Sequence, residues 1–193
     1  MGRARDYRRM LWLIRHGETE WSLSGAHTGS TNIPLTAAGE ESARAIGKEL
    51  DGHQFSLVLT SPLQRAMRTC ELAGYGADAQ VDPNLAEWNY GDYEGRTTEQ
   101  IRAVRPGWFL FRDGVPGGET IGQVAARALD VIDRAVQAEG DVALFAHGHI
   151  LRILTACWLG LPPEDARMFV LGTGAISMLG YEHETRAILR WNA

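Results

Sequence analysis

The chain has 193 residues, of which 45% are hydrophobic, and a net charge of −5. This length and apolar content predict a single domain over residues 1–193 with one sizeable core, in which residues 1–9 form a flexible arm. No apolar run approaches the roughly 20 residues that a membrane-spanning helix needs, which excludes that class of protein. The acidic balance disfavours a general nucleic-acid-binding protein.

The cysteines and the basic residues set two further bounds. Cys70 and Cys157 lie in apolar segments without metal-ligand spacing, which predicts reduced thiols and a cytoplasmic location. Lys48 is the single lysine among 19 basic residues. Because a GC-rich genome also produces a high share of arginine, only arginines that a motif places are assigned a function.

The first predicted element is a buried parallel strand over residues 11–14, which stops abruptly at Arg15, His16 and Gly17. In open α/β sheets, ligands bind just beyond the carboxyl ends of such strands. There, an arginine can hold a phosphate and a neutral imidazole can attack phosphorus. The tripeptide alone is equally typical of a solvated arginine and a backbone-bonded histidine, so other segments must decide.

The next segment, Glu18 to Pro34, is rich in Ser, Gly, Thr and Asn, which predicts a loop over the site. Within it, Ser22, Thr28 and Gly29 offer hydroxyl and backbone donors to a phosphate. A helix is predicted to follow, with Thr36 as its N-cap.

Residues 55–60 predict a second strand, which runs into a helix start. Ser61 as N-cap, with Pro62 at the first helical position and Gln64 at the third, predicts a capping box. This places Arg65 in the first helical turn, at the edge where anions bind. One of Arg65 and Arg68 is expected to point inwards.

A short strand over residues 80–82 leads into a loop, residues 85–95, that contains three acids and three aromatic residues. Glu87, Asp92 and Glu94 are each candidates for a general acid, and the sequence pattern does not choose among them.

Two capping boxes and an aromatic segment follow. Thr97 with Gln100 and Thr120 with Gln123 predict the starts of two helices. Between them, residues 108–118 are aromatic and then rich in Gly and Pro, which predicts a wall or lid for a substrate.

Residues 141–146 predict a third apolar strand, which runs into His147 and Gly148. This repeats the arrangement at His16, so both imidazoles are expected at one edge of the sheet. A helix over residues 153–161 and a closing hairpin over residues 173–191 complete the chain. The alternation of strands and helices predicts an α/β fold, a three-layer α/β/α sandwich with a mostly parallel central sheet.

Four short motifs, taken together and in this order, resemble those of the histidine phosphatase superfamily, whose fold is phosphoglycerate mutase-like. They are Leu13-Ile14-Arg15-His16-Gly17-Glu18-Thr19, Ser61-Pro62-x-x-Arg65, Glu87 before Tyr90-Gly91, and Ala146-His147-Gly148. Each motif alone is weak, but their combination from residue 11 to about residue 152 is specific.

The resemblance implies roles for five residues. His16 would be the nucleophile that becomes phosphorylated, and Glu87 would protonate the leaving oxygen. Arg15, Arg65 and His147 would hold the phosphoryl oxygens. Phosphoryl transfer depends mainly on positioning and charge stabilisation, which these side chains can supply. The resemblance also implies an activity without a metal or another cofactor.

Departures from the mutase pattern favour a phosphatase. The cofactor-dependent mutases have a longer stretch with more arginine between the two positions that match Glu87 and His147. They also have Asn where Ser22 stands, and Glu-Arg where this chain has Glu87-Trp88. A mutase, or a signalling phosphatase that acts on protein phosphohistidine, are the alternative predictions.

Other segments look like the sedoheptulose-1,7-bisphosphatase branch and its bacterial acid phosphatase relatives. They are Glu20-Trp21-Ser22-x-Ser24-Gly25, residues 87–95, Arg112-Asp113-Gly114 and residues 145–152. This likeness implies that Tyr90, His149 and Arg152 face a sugar phosphate, with Arg152 at a distal phosphate. His27 stands where that branch has Tyr.

The expected partner is thus a small-molecule phosphate ester, without nucleic acid or membrane, and the sequence leaves homodimerisation open. A metal hydrolase built on His16, His147 and His149 is disfavoured because an arginine-rich site repels a cation. A non-catalytic phosphate-binding module is disfavoured because His16, Arg65 and Glu87 are all present.

Overall fold

The computed structural model describes residues 9–193, which contain one mixed six-stranded sheet. Its strands are β1 (Leu11–Arg15), β2 (Leu57–Thr60), β3 (Ala79–Val81), β4 (Val142–Ala146), β5 (Ile176–Glu182) and β6 (Thr185–Arg190). The strand order is β3-β2-β4-β1-β5-β6, in which the first four strands are parallel. β5 runs antiparallel to β1, and β6 antiparallel to β5. The mostly parallel sheet and the closing hairpin are therefore confirmed.

The same residues form seven α-helices. They are α1 (Glu20–Ser24), α2 (Ala37–Leu50), α3 (Gln64–Leu72), α4 (Thr98–Val104), α5 (Leu110–Asp113), α6 (Ile121–Ala135) and α7 (Gly148–Trp158). The predicted arm falls on residues 1–8, outside the described residues, and on Arg9, whose guanidinium donates to the carbonyl oxygen of Val136.

The alternation of side chains along β4 shows the three layers. Val142, Leu144 and Ala146 pack with α6 and α7 on one face of the sheet. Ala143 and Phe145 pack with α2 and α3 on the other face. Because both faces are covered by helices, all five residues of β4 are buried, as expected for a central parallel strand. The predicted three-layer α/β/α sandwich is confirmed.

The predicted helix starts are confirmed where they depend on a capping contact between residues close together in the sequence. Thr36 caps α2, and reciprocal capping boxes at Thr97 and Thr120 start α4 and α6. The capping box predicted at Ser61 is wrong, because α3 begins at Gln64 and its N-cap has no side-chain bond.

Two other segments differ from the predicted elements. The segment predicted as a loop over residues 18–34 contains the five-residue helix α1, which has its own capping box between Thr19 and Ser22. The helix predicted over residues 153–161 begins five residues earlier, directly after His147. This early start places amide groups at the sheet edge, where they become part of the site.

The two thiols are free, and Cys70 is buried. Burial raises the pKa of the Cys70 thiol to about 12, so its reactive thiolate is scarce. No helix in the described part of the chain is long and apolar enough to cross a membrane.

Candidate active site

The sheet brings the two histidine motifs together. β1 and β4 are adjacent parallel strands, with Arg15 paired to Ala146 at their carboxyl ends. The backbone amide of His16 donates to the carbonyl oxygen of Ala146 at 3.0 Å. The imidazole centroids of His16 and His147 consequently lie 5.1 Å apart.

The ring of His16 is buried and has a defined tautomer. Its Nδ1 lies 2.7 Å from the carbonyl oxygen of Gly17. Because a carbonyl oxygen only accepts, Nδ1 carries the hydrogen and Nε2 carries the lone pair. Burial, together with the charges of Arg15 and Arg65, lowers the pKa of His16 well below its usual 6.5. The imidazole is therefore a neutral base with Nε2 as its nucleophilic atom.

The guanidinium of Arg15 has one hydrogen-bonded nitrogen and one buried nitrogen without a partner within residues 9–193. Its Nη1 donates to the carbonyl oxygen of Leu171, and its Nε is buried without a partner within residues 9–193. A buried donor without a partner is costly, so an anionic oxygen beside His16 would satisfy this group. Burial lowers the pKa of Arg15, but arginine remains charged in proteins.

Arg65 is fully buried and binds the loop that covers the site. Its Nη1 donates to the carbonyl oxygen of Thr31, and its Nη2 donates to those of Thr28 and Gly29, all at 3.0 Å. Its Nε donates to Nδ1 of His147 at 3.1 Å. Four of the five N–H groups of a guanidinium are thus used, and one Nη1 hydrogen is left.

His147 is also fully buried and bonded through both ring nitrogens. Since Nδ1 accepts from Arg65, its hydrogen lies on Nε2, which is 2.7 Å from Oγ of Ser61. Burial and the charge of Arg65 lower the pKa of His147 well below 6.5, which keeps the ring neutral. Ser61 therefore orients His147 instead of capping α3.

The carboxylate of Glu87 lies at the start of α7. Its Oε1 accepts from the backbone amides of Trp88 at 2.9 Å and Ile150 at 3.0 Å. Its Oε2 accepts from the amide of His149 at 3.0 Å. Amides at a helix N-terminus point at an anion, so α7 fixes the position of this carboxylate.

A cavity of about 450 Å³ opens at this edge, and His16, Arg15 and Glu87 line it. Arg65 and His147 are fully buried and are not among its lining residues. Glu87 is the one carboxylate among its lining residues, which separates it from the two other candidate acids. The carboxylate of Glu94 instead accepts from the backbone amides of Gly29 and Thr31.

Tyr90 and His149 form a close pair in the cavity wall. The Tyr90 oxygen lies 2.6 Å from Nδ1 of His149. Burial raises the pKa of Tyr90 well above 10, so its hydroxyl keeps its proton and donates it to Nδ1. Burial, together with the charge of Arg152, lowers the pKa of His149 well below 6.5. The hydrogen of this neutral ring is therefore on Nε2.

The hydroxyl and amide donors predicted in the loop are already hydrogen-bonded within the protein. The Ser22 hydroxyl donates to the carbonyl oxygen of Thr19 at 2.8 Å, and that of Thr28 donates to Ala26 at 3.0 Å. Both residues line the cavity. Gly29 is not among the lining residues, and its amide donates to the carboxylate of Glu94. The hydroxyl and amide groups that were predicted to bind phosphate therefore form hydrogen bonds within the protein and stabilise the loop.

Arg152 lines the cavity and is partly tied to the protein. Its Nε donates to the carbonyl oxygen of Ala166 at 3.2 Å, and its Nη2 reaches that of Arg167 at 3.4 Å. The guanidinium lies 4.9 Å from the ring centroid of Phe111, within cation–π range. These contacts hold its charge at the cavity wall.

The sequence analysis did not identify three residues that line the cavity. It did predict that an aromatic segment forms part of the cavity wall. Arg102, Thr98 and Leu171 contribute to the lining without any motif that marks them. The aromatic segment predicted as a wall does line the cavity, through residues 108–111. No group of three or more His, Cys, Asp or Glu side chains within residues 9–193 has a metal-binding arrangement.

Known proteins are similar to this chain over most of its length. An acid phosphatase of Mycobacterium tuberculosis is 38% identical over 182 residues, covering 92% of this chain and 89% of that protein. Sedoheptulose 1,7-bisphosphatase of Saccharomyces cerevisiae is 37% identical over 181 residues, covering 77% and 67%. A 2,3-bisphosphoglycerate-dependent phosphoglycerate mutase of Brucella melitensis is 35% identical over 186 residues, covering 86% and 89%.

A solved structure of a mycobacterial glucosyl-3-phosphoglycerate phosphatase with VO3 superposes with a TM-score of 0.86 at 30% identity. It covers 96% of this chain and 99% of that one. The profile of the histidine phosphatase superfamily (branch 1) matches residues 11–193. The chain therefore belongs to the histidine phosphatase superfamily.

Proposed function

We propose that this protein is a phosphatase that hydrolyses small phosphate monoesters, sugar phosphates among them, through a phosphohistidine on His16 and without a metal. One observation carries the proposal. Nδ1 of His16 is bonded to Gly17, which leaves Nε2 as a buried, neutral nucleophile, and Arg15, whose Nε is unpaired within residues 9–193, lines the same cavity. A nucleophile next to an unsatisfied cationic donor suits the attack on a phosphate ester.

In the first step, Nε2 of His16 attacks phosphorus and the bond from phosphorus to the ester oxygen breaks. Glu87, as a carboxylic acid, donates its proton to the departing oxygen. In the second step, Glu87 removes a proton from a water molecule that attacks phosphorus. The N–P bond then breaks, and inorganic phosphate and neutral His16 are released. This division into two steps is nucleophilic catalysis with one group as acid and then base.

Arg15, Arg65 and His147 are proposed to stabilise the phosphoryl oxygens. Arg15 has the unpaired Nε, and Arg65 has one unused Nη1 hydrogen. The His147 ring centroid lies 5.1 Å from that of His16, and its Nε2–H would exchange the bond to Ser61 for one to a phosphoryl oxygen. Preorganised donors of this kind act where charge develops in the transition state.

The cavity supports a small ester as substrate. Its volume of about 450 Å³ lies within the range of small-molecule sites. The Nε2–H of His149 and the charge of Arg152 are proposed to bind the polar, anionic remainder of the substrate. Relatives named as acid phosphatase, sedoheptulose 1,7-bisphosphatase and glucosyl-3-phosphoglycerate phosphatase support phosphorylated sugars and sugar acids as the class.

Mutase activity is the second candidate, because a phosphoglycerate mutase of 35% identity is among the relatives. The same phosphohistidine would then return its phosphoryl group to a bound hydroxyl rather than to water. An experiment on both reactions separates the two.

The test is a turnover panel with p-nitrophenyl phosphate, 3-phosphoglycerate, fructose 1,6-bisphosphate and sedoheptulose 1,7-bisphosphate, in excess chelator. We expect phosphate release in wild type and its loss in His16→Ala, with an alkali-stable, acid-labile phosphoryl group on the wild-type protein. Release that requires an added metal would contradict metal independence. Isomerisation of 3-phosphoglycerate in the presence of its bisphosphate, without net release, would establish a mutase.

A further inference from the structure

One side chain of α6 holds the backbone on which Glu87 stands. Nη1 of Arg127 donates to the carbonyl oxygens of Asn84 at 2.7 Å and Ala86 at 2.9 Å. Its Nη2 reaches the carbonyl oxygen of Glu87 itself at 3.5 Å. A rigid guanidinium fork therefore fixes three carbonyls of the segment 84–89.

Glu119 completes this attachment from the other side. Its carboxylate accepts from Arg127 through two parallel bonds of 2.8 and 2.9 Å, an arrangement stronger and more directional than a single contact. The same carboxylate accepts from the backbone amide of Asn89 at 2.9 Å. Its backbone carbonyl accepts from the indole of Trp88, also at 2.9 Å. Arg127 and Glu119 thus hold the backbone before, at and after residue 87.

The pair does not belong to the cavity. Neither side chain is among the cavity-lining residues, and about a fifth of each side chain is exposed (19% and 22%). The direct contacts of the pair are with the backbone around Glu87, whose carboxylate is held at its far end by the amides of α7. The charge of Arg127 also contributes to the lowered pKa of His147, and Arg127→Lys retains that charge. Glu87 is therefore held between two helices, with its backbone on α6 and its carboxylate on α7.

We propose that Arg127 and Glu119 are positioning residues that set the distance between the Glu87 carboxyl group and the ester oxygen. The proposal rests on the acid role of Glu87 in the proposed function. Proton transfer requires hydrogen-bond distance to the departing oxygen, and a misplacement of about 1 Å can lower a rate about 100-fold. Loss of the fork would release three carbonyls and allow such a displacement.

Two esters with different leaving groups provide a readout that a general loss of structure does not change. p-Nitrophenolate leaves without protonation, whereas the alkoxide of glycerol phosphate needs the proton of a general acid. The measured quantity is kcat/KM, because it reports the steps through leaving-group departure and does not depend on later hydrolysis of phosphohistidine. Impaired positioning of Glu87 lowers the value for glycerol phosphate selectively.

Four variants form the experiment, together with Glu87→Gln as reference. Arg127→Met removes the fork, Arg127→Lys retains the charge without the fork, and Glu119→Gln weakens the paired contact. Arg134→Met is the matched control, because Arg134 lies two turns later on α6 and pairs with Asp82 at 3.0 Å. Circular dichroism and thermal unfolding establish that each variant is folded.

We expect Arg127→Met to lower kcat/KM for glycerol phosphate about 10- to 100-fold, a partial loss of the general acid contribution of about 100- to 10,000-fold, with less than about threefold loss for p-nitrophenyl phosphate. Arg127→Lys and Glu119→Gln should show the same selectivity to a smaller degree. If Arg127→Met does not fold, these two variants test the positioning role. Arg134→Met should change neither value.

Equal loss for both esters, or no loss, in the folded Arg127 and Glu119 variants would overturn the positioning role. If these variants are unselective but Glu87→Gln is selective, the acid role of Glu87 stands and only this inference fails. If Glu87→Gln itself affects both esters equally, the proposed acid role fails and the inference fails with it.

Discussion

At the scale of single residues, the unusual property of the site is a buried imidazole next to two guanidinium groups. Burial is the main reason that the pKa of His16 lies well below 6.5, and the charges of Arg15 and Arg65 lower it further. A group with a lowered pKa takes up its proton only at a correspondingly lower pH. His16 therefore stays neutral and nucleophilic in mildly acidic solution, where a solvated histidine would be protonated.

We predict that Arg15→Gln raises the pKa of His16 towards 6.5, because one of the two charges that lower it is removed. In the variant, protonation of His16 then occurs at a higher pH than in wild type. NMR titration of the histidine side chains in the free enzyme measures this directly. Arg68→Gln is the control, since Arg68 is exposed and pairs with Glu40 at 3.0 Å. An unchanged His16 pKa in Arg15→Gln would contradict the prediction.

The structure shows which site residues sequence patterns can find. His16 and His147 follow apolar strands and stand before Gly, so position along the strand was enough to predict that they lie together. Ser61 was assigned a local cap, and its contact with His147 depends on a residue 86 positions away. No sequence motif marks Arg127 as part of the site, because the carbonyls it binds lie about 40 residues earlier in the chain.

At the scale of elements, the backbone after β1 and the start of α2 touch through two glycines. A Cβ atom on Gly39 would lie 2.2 Å from the carbonyl oxygen of Glu18, and one on Gly17 would lie 2.3 Å from that of Gly39. Real Cβ atoms do not approach backbone so closely, so a side chain at either position must displace one element. The close approach determines where the His16 turn lies relative to α2.

We predict that Gly39→Ala moves the turn that carries His16. Such overpacking should lower the free energy of unfolding by about 1–3 kcal/mol. A displacement near 1 Å should lower kcat about 100-fold. The measurements are thermal unfolding and kcat on p-nitrophenyl phosphate.

Gly122→Ala is the control for this variant. The nearest atom to its Cβ is Oγ1 of Thr120 at 4.0 Å, so the helical glycine of α6 has room for a methyl group. Its replacement should leave kcat unchanged and stabilise slightly, because alanine loses less entropy in a helix. Wild-type activity in Gly39→Ala would show that the turn and α2 are not coupled.

The predicted elements were most accurate where their signals were short-range. The caps of α2, α4 and α6 depend on a side chain and an amide three residues apart, and all three were predicted. The five-residue α1 is too short to show an apolar periodicity, so the sequence pattern predicts a loop there. The start of α7 differs because the prediction places the apolar helix at residues 153–161, whereas the structure begins it at Gly148.

At the scale of the whole molecule, the last strands of the sheet are connected to the site through Asn192. Its side-chain oxygen accepts from the amide of Gly172 at 2.6 Å, and its own amide donates to Oγ of Ser177 in β5 at 2.9 Å. Gly172 follows Leu171, whose carbonyl oxygen holds the guanidinium of Arg15. Asn192, which follows the last strand, is thus linked through Gly172 and Leu171 to the guanidinium of Arg15 in β1, a long-range link that no local pattern encodes.

This link predicts the effect of Asn192→Gly. Asn192 has a φ of 54°, a left-handed conformation that glycine adopts freely, so this variant removes the amide while preserving the backbone. A lost hydrogen bond costs about 0.5–1.5 kcal/mol, so we expect KM to rise about two- to tenfold as the Leu171 carbonyl loosens its hold on Arg15. Initial rates over a range of p-nitrophenyl phosphate concentrations give KM and kcat separately.

His183→Gly is the matched control for that measurement, because His183 also has a positive φ, 52°, and lies in the exposed turn between β5 and β6. Both variants place glycine at a left-handed position, so they share any entropy gained by the unfolded chain. Only Asn192→Gly breaks the contact with Gly172. A KM that rises equally in both variants would assign the effect to general loosening of the hairpin. A KM that rises in neither would show that Arg15 is positioned without the contact from Asn192.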